Sequence, residues 1–214
     1  MHIEHQKKKP IIHSSAWVDS NAVISGEVIV EEEVYISSGA VIIAERAPIH
    51  IKRGTIIMKN VVLKSSEGKT ISHPLLIEEH TLIGPYAYLI GCTIERKCFL
   101  AAGAKVYNKA YVGEQCIIGI NGVVHIDTHL KAKTRVPTQH MAFGNPAKIY
   151  PTDNPGKSSR EIENLHLLDT LFQVKNKSKD LKYIAALEQY RYMLFNHKND
   201  DILKNFTSNS TTKL

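Results

Sequence analysis

The sequence predicts an all-β solenoid, a parallel β-helix built from hexapeptide repeats in about six to seven coils, followed by a C-terminal α-helical hairpin. Three observations support this fold class. An aliphatic residue recurs every six positions between residues 12 and 136, a small residue stands two positions before the next aliphatic one, and helical spacing replaces this period after residue 157. A period of six excludes packed α-helices as the structure of the repeat region.

The repeat places two kinds of residue in the predicted core. The aliphatic column runs from Ile12 to Val136, and its twenty positions are all Ile, Leu or Val. Four positions later in each complete hexad the residue is small, as at Ala22, Thr55 and Cys98. Alternate side chains of a strand share a face, so both columns point inward. Three such short strands then close one triangular coil, with a large side chain on each wall and a small one near each corner.

Beyond the repeat, the spacing predicts two amphipathic helices. Ser158 and Glu161 form a capping box at the start of the first. Two apolar stripes follow, one at Ile162, Leu165, Leu168 and Phe172 and the other at Leu181, Ile184, Leu187 and Leu194. The predicted organisation is therefore an N-terminal tail at 1–10, the β-helix at 11–150, a linker at 151–157, two helices at 158–198 and a disordered tail at 199–214.

Composition excludes several classes of function. The formal net charge of +6 is spread evenly along the chain, which argues against a nucleic-acid surface. No apolar segment is long enough to span a bilayer, and the polar N-terminus does not resemble a signal peptide. The three cysteines lack a Cys-x-x-Cys spacing, which predicts reduced thiols. These features predict a cytoplasmic protein with neither a membrane nor a nucleic acid as partner.

The repeat is interrupted after Ile42, after Leu63 and after Leu89. The segments around these interruptions, together with Phe-Gly-Asn-Pro-Ala-Lys at 143–148, resemble the γ-class carbonic anhydrases over nearly all of residues 11–150. The resemblance implies a left-handed β-helix and a homotrimer with clefts between its subunits. In that family each cleft holds a divalent metal on three histidines, two from one subunit and one from the next, and the metal activates water for attack on CO₂.

The resemblance also implies where the metal ligands should lie. Carried over position by position, they fall on Lys64, Pro85 and Ile90. A lysine is normally protonated, and proline and isoleucine have no donor atom, so none of the three can bind a metal in that role. We therefore predict that the three-histidine site is lost, with no metal, no cofactor and no catalytic residue.

Other side chains near the interruptions are candidates for contacts in the cleft. Charged contacts are predicted for Glu45 and Lys59 together with Lys64, although solvated surface charges are the simpler alternative. His50, His73 and His80 leave a relocated metal site open, and isolated surface histidines are the commoner explanation.

Three functions remain to be compared. The sequence favours a non-catalytic scaffold or binding role, with an unknown protein partner or small ligand. The alternative is an acyl-CoA-dependent hexapeptide acyltransferase, because such enzymes share the fold and often end in a similar Gly-Asn-Pro-Ala-Lys segment. That chemistry needs a histidine general base, and no sequence context identifies one among His80, His125, His129 and His140. A carbonic anhydrase with a rebuilt metal site is the third.

Overall fold

The computed structural model describes residues 1–66, 72–153 and 178–203. The strands form three sheets, here called walls A, B and C, and successive strands of the chain pass from one wall to the next, as in a parallel β-helix. This confirms the predicted fold class, which is the left-handed β-helix of hexapeptide-repeat proteins. Wall A has ten strands, of which the outermost at each end is antiparallel, and walls B and C have seven each. The described residues thus form seven complete coils and one additional strand on wall A.

The strands are short, as hexapeptide repeats require. Wall A consists of β1 (His2–Glu4), β4 (Val23–Ser25), β7 (Val41–Ile43), β10 (Val62–Lys64), β13 (Tyr88–Ile90), β16 (Lys105–Val106), β19 (Val123–Val124), β22 (His140–Phe143), β23 (Lys148–Pro151) and β24 (Asp201–Ile202). Wall B consists of β2 (Ile11–Ile12), β5 (Val28–Val30), β8 (Ile49–Ile51), β11 (Leu75–Ile77), β14 (Thr93–Ile94), β17 (Tyr111–Val112) and β20 (His129–Leu130). Wall C consists of β3 (Trp17–Val18), β6 (Tyr35–Ile36), β9 (Ile56–Ile57), β12 (Leu82–Ile83), β15 (Phe99–Leu100), β18 (Ile117–Ile118) and β21 (Arg135–Val136).

The core lies along the axis of the coils, where the sequence places it. Leu63 pairs in register with Ile42 on one side and Leu89 on the other, and all three side chains are fully buried. Cys98 and Cys116, from the small-residue column, are buried free thiols in adjacent coils. The aliphatic ladder therefore counts the coils correctly across the interruptions.

One close approach between coils depends on glycine. Gly26 follows β4 and has a φ of +79°, a conformation that side chains other than glycine rarely adopt. A Cβ at this position would lie 2.2 Å from the carbonyl oxygen of Ala44 in the next coil. The absence of a side chain at Gly26 therefore lets the chain after β7 pass close to it, immediately before Glu45.

Both predicted tails are wrong where the structure describes them. Residues 2–4 form β1, which pairs in parallel with β4, so the segment 1–10 is not a free tail. Within the segment 199–214, residues 201–202 form β24, which pairs antiparallel with β1. Each strand is too short to show a period of its own, and it is the pairing that orders both segments. Residues 204–214 lie outside the described residues. The predicted linker began at Pro151, but Pro151 is the last residue of β23.

The helix α1 (Lys179–Phe195) confirms the second predicted helix, and a 3₁₀ turn (Asn196–Asn199) leads from it to β24. The first predicted helix lies outside the described residues. The second apolar stripe is largely exposed on α1, at 43% for Leu187 and 63% for Leu194, whereas Ala186 is buried. In the described part of the chain, no helix combines the length and the hydropathy needed to cross a bilayer.

Candidate functional site

Two of the three residues that stand where the resembling family has its metal ligands lie side by side. Lys64 on β10 pairs in register with Ile90 on β13, at the end of wall A. Pro85 lies elsewhere, in the turn between β12 and β13. There it lines a shallow apolar groove with Leu82 and Phe99. The structure therefore brings Lys64 and Ile90 together and directs Pro85 to a different face.

Lys64 contacts the buried carboxylate of Glu45. Its Nζ lies 3.0 Å from Oε1 of Glu45, whose side chain is 2% exposed. The backbone N–H of Glu45 donates a hydrogen bond of 2.8 Å to the hydroxyl of Ser65. The predicted contact between Glu45 and Lys64 thus exists, but it forms within one chain, whereas Lys59 is exposed on a turn.

The two ends of the described chain meet at this carboxylate. His5, Glu45, His197 and Asp200 form a group that we call the terminal cluster. His5 Nδ1 lies 2.5 Å from Oδ1 of Asp200, and His197 Nδ1 lies 2.8 Å from Oδ2. On the opposite edges of the two rings, Oε2 of Glu45 lies 3.1 Å from His197 Nε2 and 3.7 Å from His5 Nε2. The rings stack with centroids 4.4 Å apart.

Sequence reasoning did not find the terminal cluster, because its members come from distant parts of the chain. A local signal exists, since His197 and Asp200 are three residues apart directly after α1, and such a spacing places two ligand atoms together in a turn. The partner His5 has no comparable signal. His5 comes close to His197 and Asp200 only through the pairing of β24 with β1.

The histidines proposed for a relocated site do not assemble with one another. His50 Nε2 lies 2.7 Å from Glu31 on wall B, and His80 is exposed at a coil corner with a φ of +54°. Burial lowers the pKa of His73, an effect to which Lys109 adds and which Asp127 opposes. Among the described residues, the one group of three histidine, cysteine or acidic side chains with ligand atoms close enough for a metal is His5, His197 and Asp200.

The histidines considered as acyltransferase bases differ in hydrogen bonding. His125 Nδ1 accepts the backbone N–H of Ile126 at 2.8 Å, which puts the proton of a neutral ring on Nε2, and burial lowers its pKa. His129 stacks on Tyr111 with centroids 4.6 Å apart. His140 Nδ1 lies 2.8 Å from the carbonyl oxygen of Thr138, so its proton is on Nδ1 and Nε2 is left as an acceptor. The acceptor nitrogen of His125 is therefore engaged by the backbone, whereas the hydrogen bond of His140 leaves its Nε2 as an acceptor.

Comparison with known proteins shows which proteins this chain resembles in sequence. No family model matches it. Gamma carbonic anhydrase 1, mitochondrial, of Arabidopsis thaliana is 29% identical over 146 residues, which are 66% of this chain and 50% of that protein. This chain is similar in sequence to the γ-carbonic anhydrases. The match spans only about half the length of that relative.

Two further comparisons extend over more of this γ-carbonic anhydrase-like protein. An uncharacterized protein of Dictyostelium discoideum is 26% identical over 201 residues, covering 92% of this chain and 78% of that protein. The crystal structure of a hexapeptide transferase family protein from Anaplasma phagocytophilum covers 92% of this chain and 96% of that one, with 17% identity and a TM-score of 0.48.

The residues at the carried-over ligand positions do not fit the metal that the γ-carbonic anhydrases imply. A divalent ion in that family requires three imidazole nitrogens. Here one position holds an ammonium group already engaged by Glu45, and the other two hold the ring of Pro85 and the alkyl chain of Ile90. A second cation at Lys64 Nζ would meet like charge, so no catalytic step follows from a metal there.

Wall C of this γ-carbonic anhydrase-like protein carries an exposed apolar surface, which we call the apolar ladder. Its outward side chains stack in register from one coil to the next: Trp17, Tyr35, Ile56, Leu82, Phe99 and Ile117. Trp17 and Tyr35 stack with ring centroids 4.2 Å apart. Ile56 is 40% exposed and Phe99 is 44% exposed. A continuous surface of this kind is typical of a protein–protein interface.

Proposed function

We propose that this protein is a non-catalytic member of the γ-carbonic anhydrase-like proteins, which acts as a homotrimeric scaffold or binding protein. The observation that carries the proposal is the ion pair of Lys64 and Glu45, because it puts a positive charge at the position inferred for the first metal ligand. A hydroxide-generating ion needs neutral or anionic donors there. The similarity to the carbonic anhydrases then describes the scaffold, and the chemistry is not retained.

The CO₂ hydration assay tests the loss of activity. We expect the purified protein, supplied in turn with Zn²⁺ and Co²⁺, to give no hydration rate above that of buffer containing the same metal. An active carbonic anhydrase measured in parallel serves as the control for the assay. A metal-dependent rate that rises in proportion to protein concentration would contradict the proposal.

The apolar ladder supports trimer formation through a second and third copy of the same chain. The ladder combines Ile56, Leu82 and Phe99 with two stacked aromatic rings and faces outward over several coils. The apolar groove that contains Pro85 adjoins it through Leu82 and Phe99. In the resembling family one of the three ligands comes from the neighbouring subunit. Pro85 lies apart from the paired Lys64 and Ile90, so we place it in the subunit contact, and the continuity of groove and ladder fits that arrangement.

Replacing Ile56 by Glu is expected to weaken the trimer at least about 100-fold, because an unpaired carboxylate would be buried at each contact. Ile11→Glu is the matched control, since Ile11 is a 62% exposed isoleucine facing outward from wall B. Sedimentation velocity over a concentration series measures both variants. A trimer that persists in Ile56→Glu, or one that Ile11→Glu dissociates equally, would argue against wall C as the interface.

An acyltransferase remains the second candidate, and the hydrogen bond of His140 to Thr138 favours it. This bond leaves His140 Nε2 able to accept a proton from an acceptor substrate. A ligand that binds the folded state raises Tm, so an acyltransferase should be stabilised by acetyl-CoA. Under our proposal we expect no shift in Tm with millimolar acetyl-CoA; a saturable shift would favour the acyltransferase.

A further inference from the structure

We propose that His5, His197 and Asp200 bind a divalent transition-metal ion such as Zn²⁺ within a single chain, and that the ion fastens the C-terminal segment to the first strand of wall A. This site is distinct from the positions of Lys64, Pro85 and Ile90, and all its ligands come from one subunit. The role inferred is structural.

The donor set fits such an ion. Both imidazoles present Nδ1 to the carboxylate of Asp200, at 2.5 Å from His5 and 2.8 Å from His197, and one ligand atom from each residue lies within 4.8 Å of the others. Two imidazoles and a carboxylate suit Zn²⁺, Co²⁺ or Ni²⁺, whereas Mg²⁺ and Ca²⁺ prefer oxygen donors alone. Moving the ligand atoms apart by about 0.5 to 1 Å would admit a tetrahedral ion with bonds of about 2.0 to 2.2 Å.

Glu45 faces the Nε2 atoms of both rings, on the side opposite the proposed metal ligands. A histidine that binds a metal through one nitrogen usually donates its other N–H to a carboxylate, which fixes the tautomer and orients the ring. Oε2 of Glu45 lies 3.1 Å from His197 Nε2 and 3.7 Å from His5 Nε2, and Oε1 is held by Lys64 at 3.0 Å. The amide of Gln6, 3.1 Å from His5 Nε2, can turn its oxygen toward the same N–H.

Counting protons also favours an ion. The His197 ring has Asp200 at Nδ1 and Glu45 at Nε2, but a neutral imidazole carries a single N–H. One edge of a neutral His197 ring would therefore point a lone pair at a carboxylate, which is repulsive. An ion on the Nδ1 side takes both lone pairs and the Asp200 charge, and it leaves both Nε2–H groups to face Glu45.

The position of the cluster explains what the ion would do. His5 follows β1 directly, and Asp200 precedes β24, whose two residues pair with Ile3 and Glu4. Because β1 and β24 share only two residue pairs, their backbone contact is weak. An ion that joins His5 to His197 closes a loop of nearly the whole chain, and closing long loops gives the largest stabilisation in theory.

Zinc titration of the full-length protein tests this inference. Protein stripped with EDTA and dialysed is titrated with ZnCl₂ alone, followed by calorimetry and thermal unfolding. We expect one Zn²⁺ per chain and a rise in Tm of about 5 to 10 °C at a free zinc concentration of about 100 times Kd. Co²⁺ in place of Zn²⁺ should show the visible absorption of an ion bound by imidazole nitrogen.

Two ligand variants and one control locate the ion. His197→Ala and Asp200→Asn should each weaken zinc binding by more than about 100-fold, which exceeds the loss expected for a residue that only orients a ligand. His13→Ala is the control, because His13 is exposed and the hydrogen bonds described for its imidazole involve only nearby Ser15. His5 is fully buried, so its replacement is avoided. Circular dichroism of each variant verifies folding before titration.

The inference is overturned if the wild-type protein binds no zinc at millimolar concentration. It is equally overturned if both ligand variants bind zinc as the wild type does, or if only His50→Ala removes binding. None of these measurements depends on CO₂ hydration or on the oligomeric state, so they succeed or fail independently of the proposed function.

Discussion

Gly26→Ala is expected to lower the free energy of unfolding by about 2 to 5 kcal/mol. The new Cβ would meet the carbonyl oxygen of Ala44 at 2.2 Å, and the φ of +79° is unfavourable for alanine. The backbone after β7 would have to move, and with it Glu45 and the contact to Lys64. Urea denaturation followed by circular dichroism measures the change in unfolding free energy.

Gly144→Ala separates the two causes of this loss. Gly144 has a φ of +90°, but the nearest atom to an added Cβ is 3.6 Å away, which is ordinary contact. The control therefore adds only backbone strain, at a cost of about 1 to 2 kcal/mol. If Gly26→Ala costs no more than Gly144→Ala, the close approach to Ala44 contributes nothing, and the argument from packing between coils fails at this position.

Glu45→Ala, measured in EDTA, is expected to cost about 2 to 4 kcal/mol of unfolding free energy. The carboxylate is buried and faces the ammonium of Lys64 and the two imidazoles of the terminal cluster. Its removal leaves His5 Nε2 in a buried place with the Gln6 amide as its remaining described contact. Lys64 can reach water because its side chain is 32% exposed, which limits the loss.

Glu114→Ala is the matched control for a carboxylate in an ion pair. Glu114 pairs with Arg96 at 3.1 Å, with side chains 32% and 57% exposed. Solvent screens such pairs, and their removal typically costs less than about 1 kcal/mol. Equal losses in the two variants would mean that Glu45 behaves as an ordinary surface residue and that the terminal cluster does not stabilise the fold.

The walls of the β-helix could be predicted because each hexad places a large aliphatic residue and a small residue in the core. Ile42, Leu63 and Leu89 lie on either side of interruptions in the period, yet they pair in register as the counting requires. A one-residue slip would turn each of these side chains from the core to solvent, so the register is strongly specified. The same argument made the burial of Cys98 predictable.

The terminal cluster could not be predicted in this way. The strands β1 and β24 have three and two residues, and each is ordered by a partner far away in the chain. The contact of Glu45 with Lys64 was predicted from their proximity to the interruptions, whereas the approach of His5 and His197 to the same carboxylate depends on tertiary pairing alone. Sequence periodicity says nothing about such pairing, because no periodic burial selects the residues involved.

The two ends of wall A have a consequence for assembly. A stack of parallel strands presents unpaired N–H and C=O groups at its first and last strand, where another molecule could continue the stack. In this protein, β24 runs antiparallel beside β1 at one end, and β23 runs antiparallel beside β22 at the other. An incoming coil that paired in parallel with β1 or β22 would have to displace these strands, so they hinder end-to-end growth into filaments along wall A.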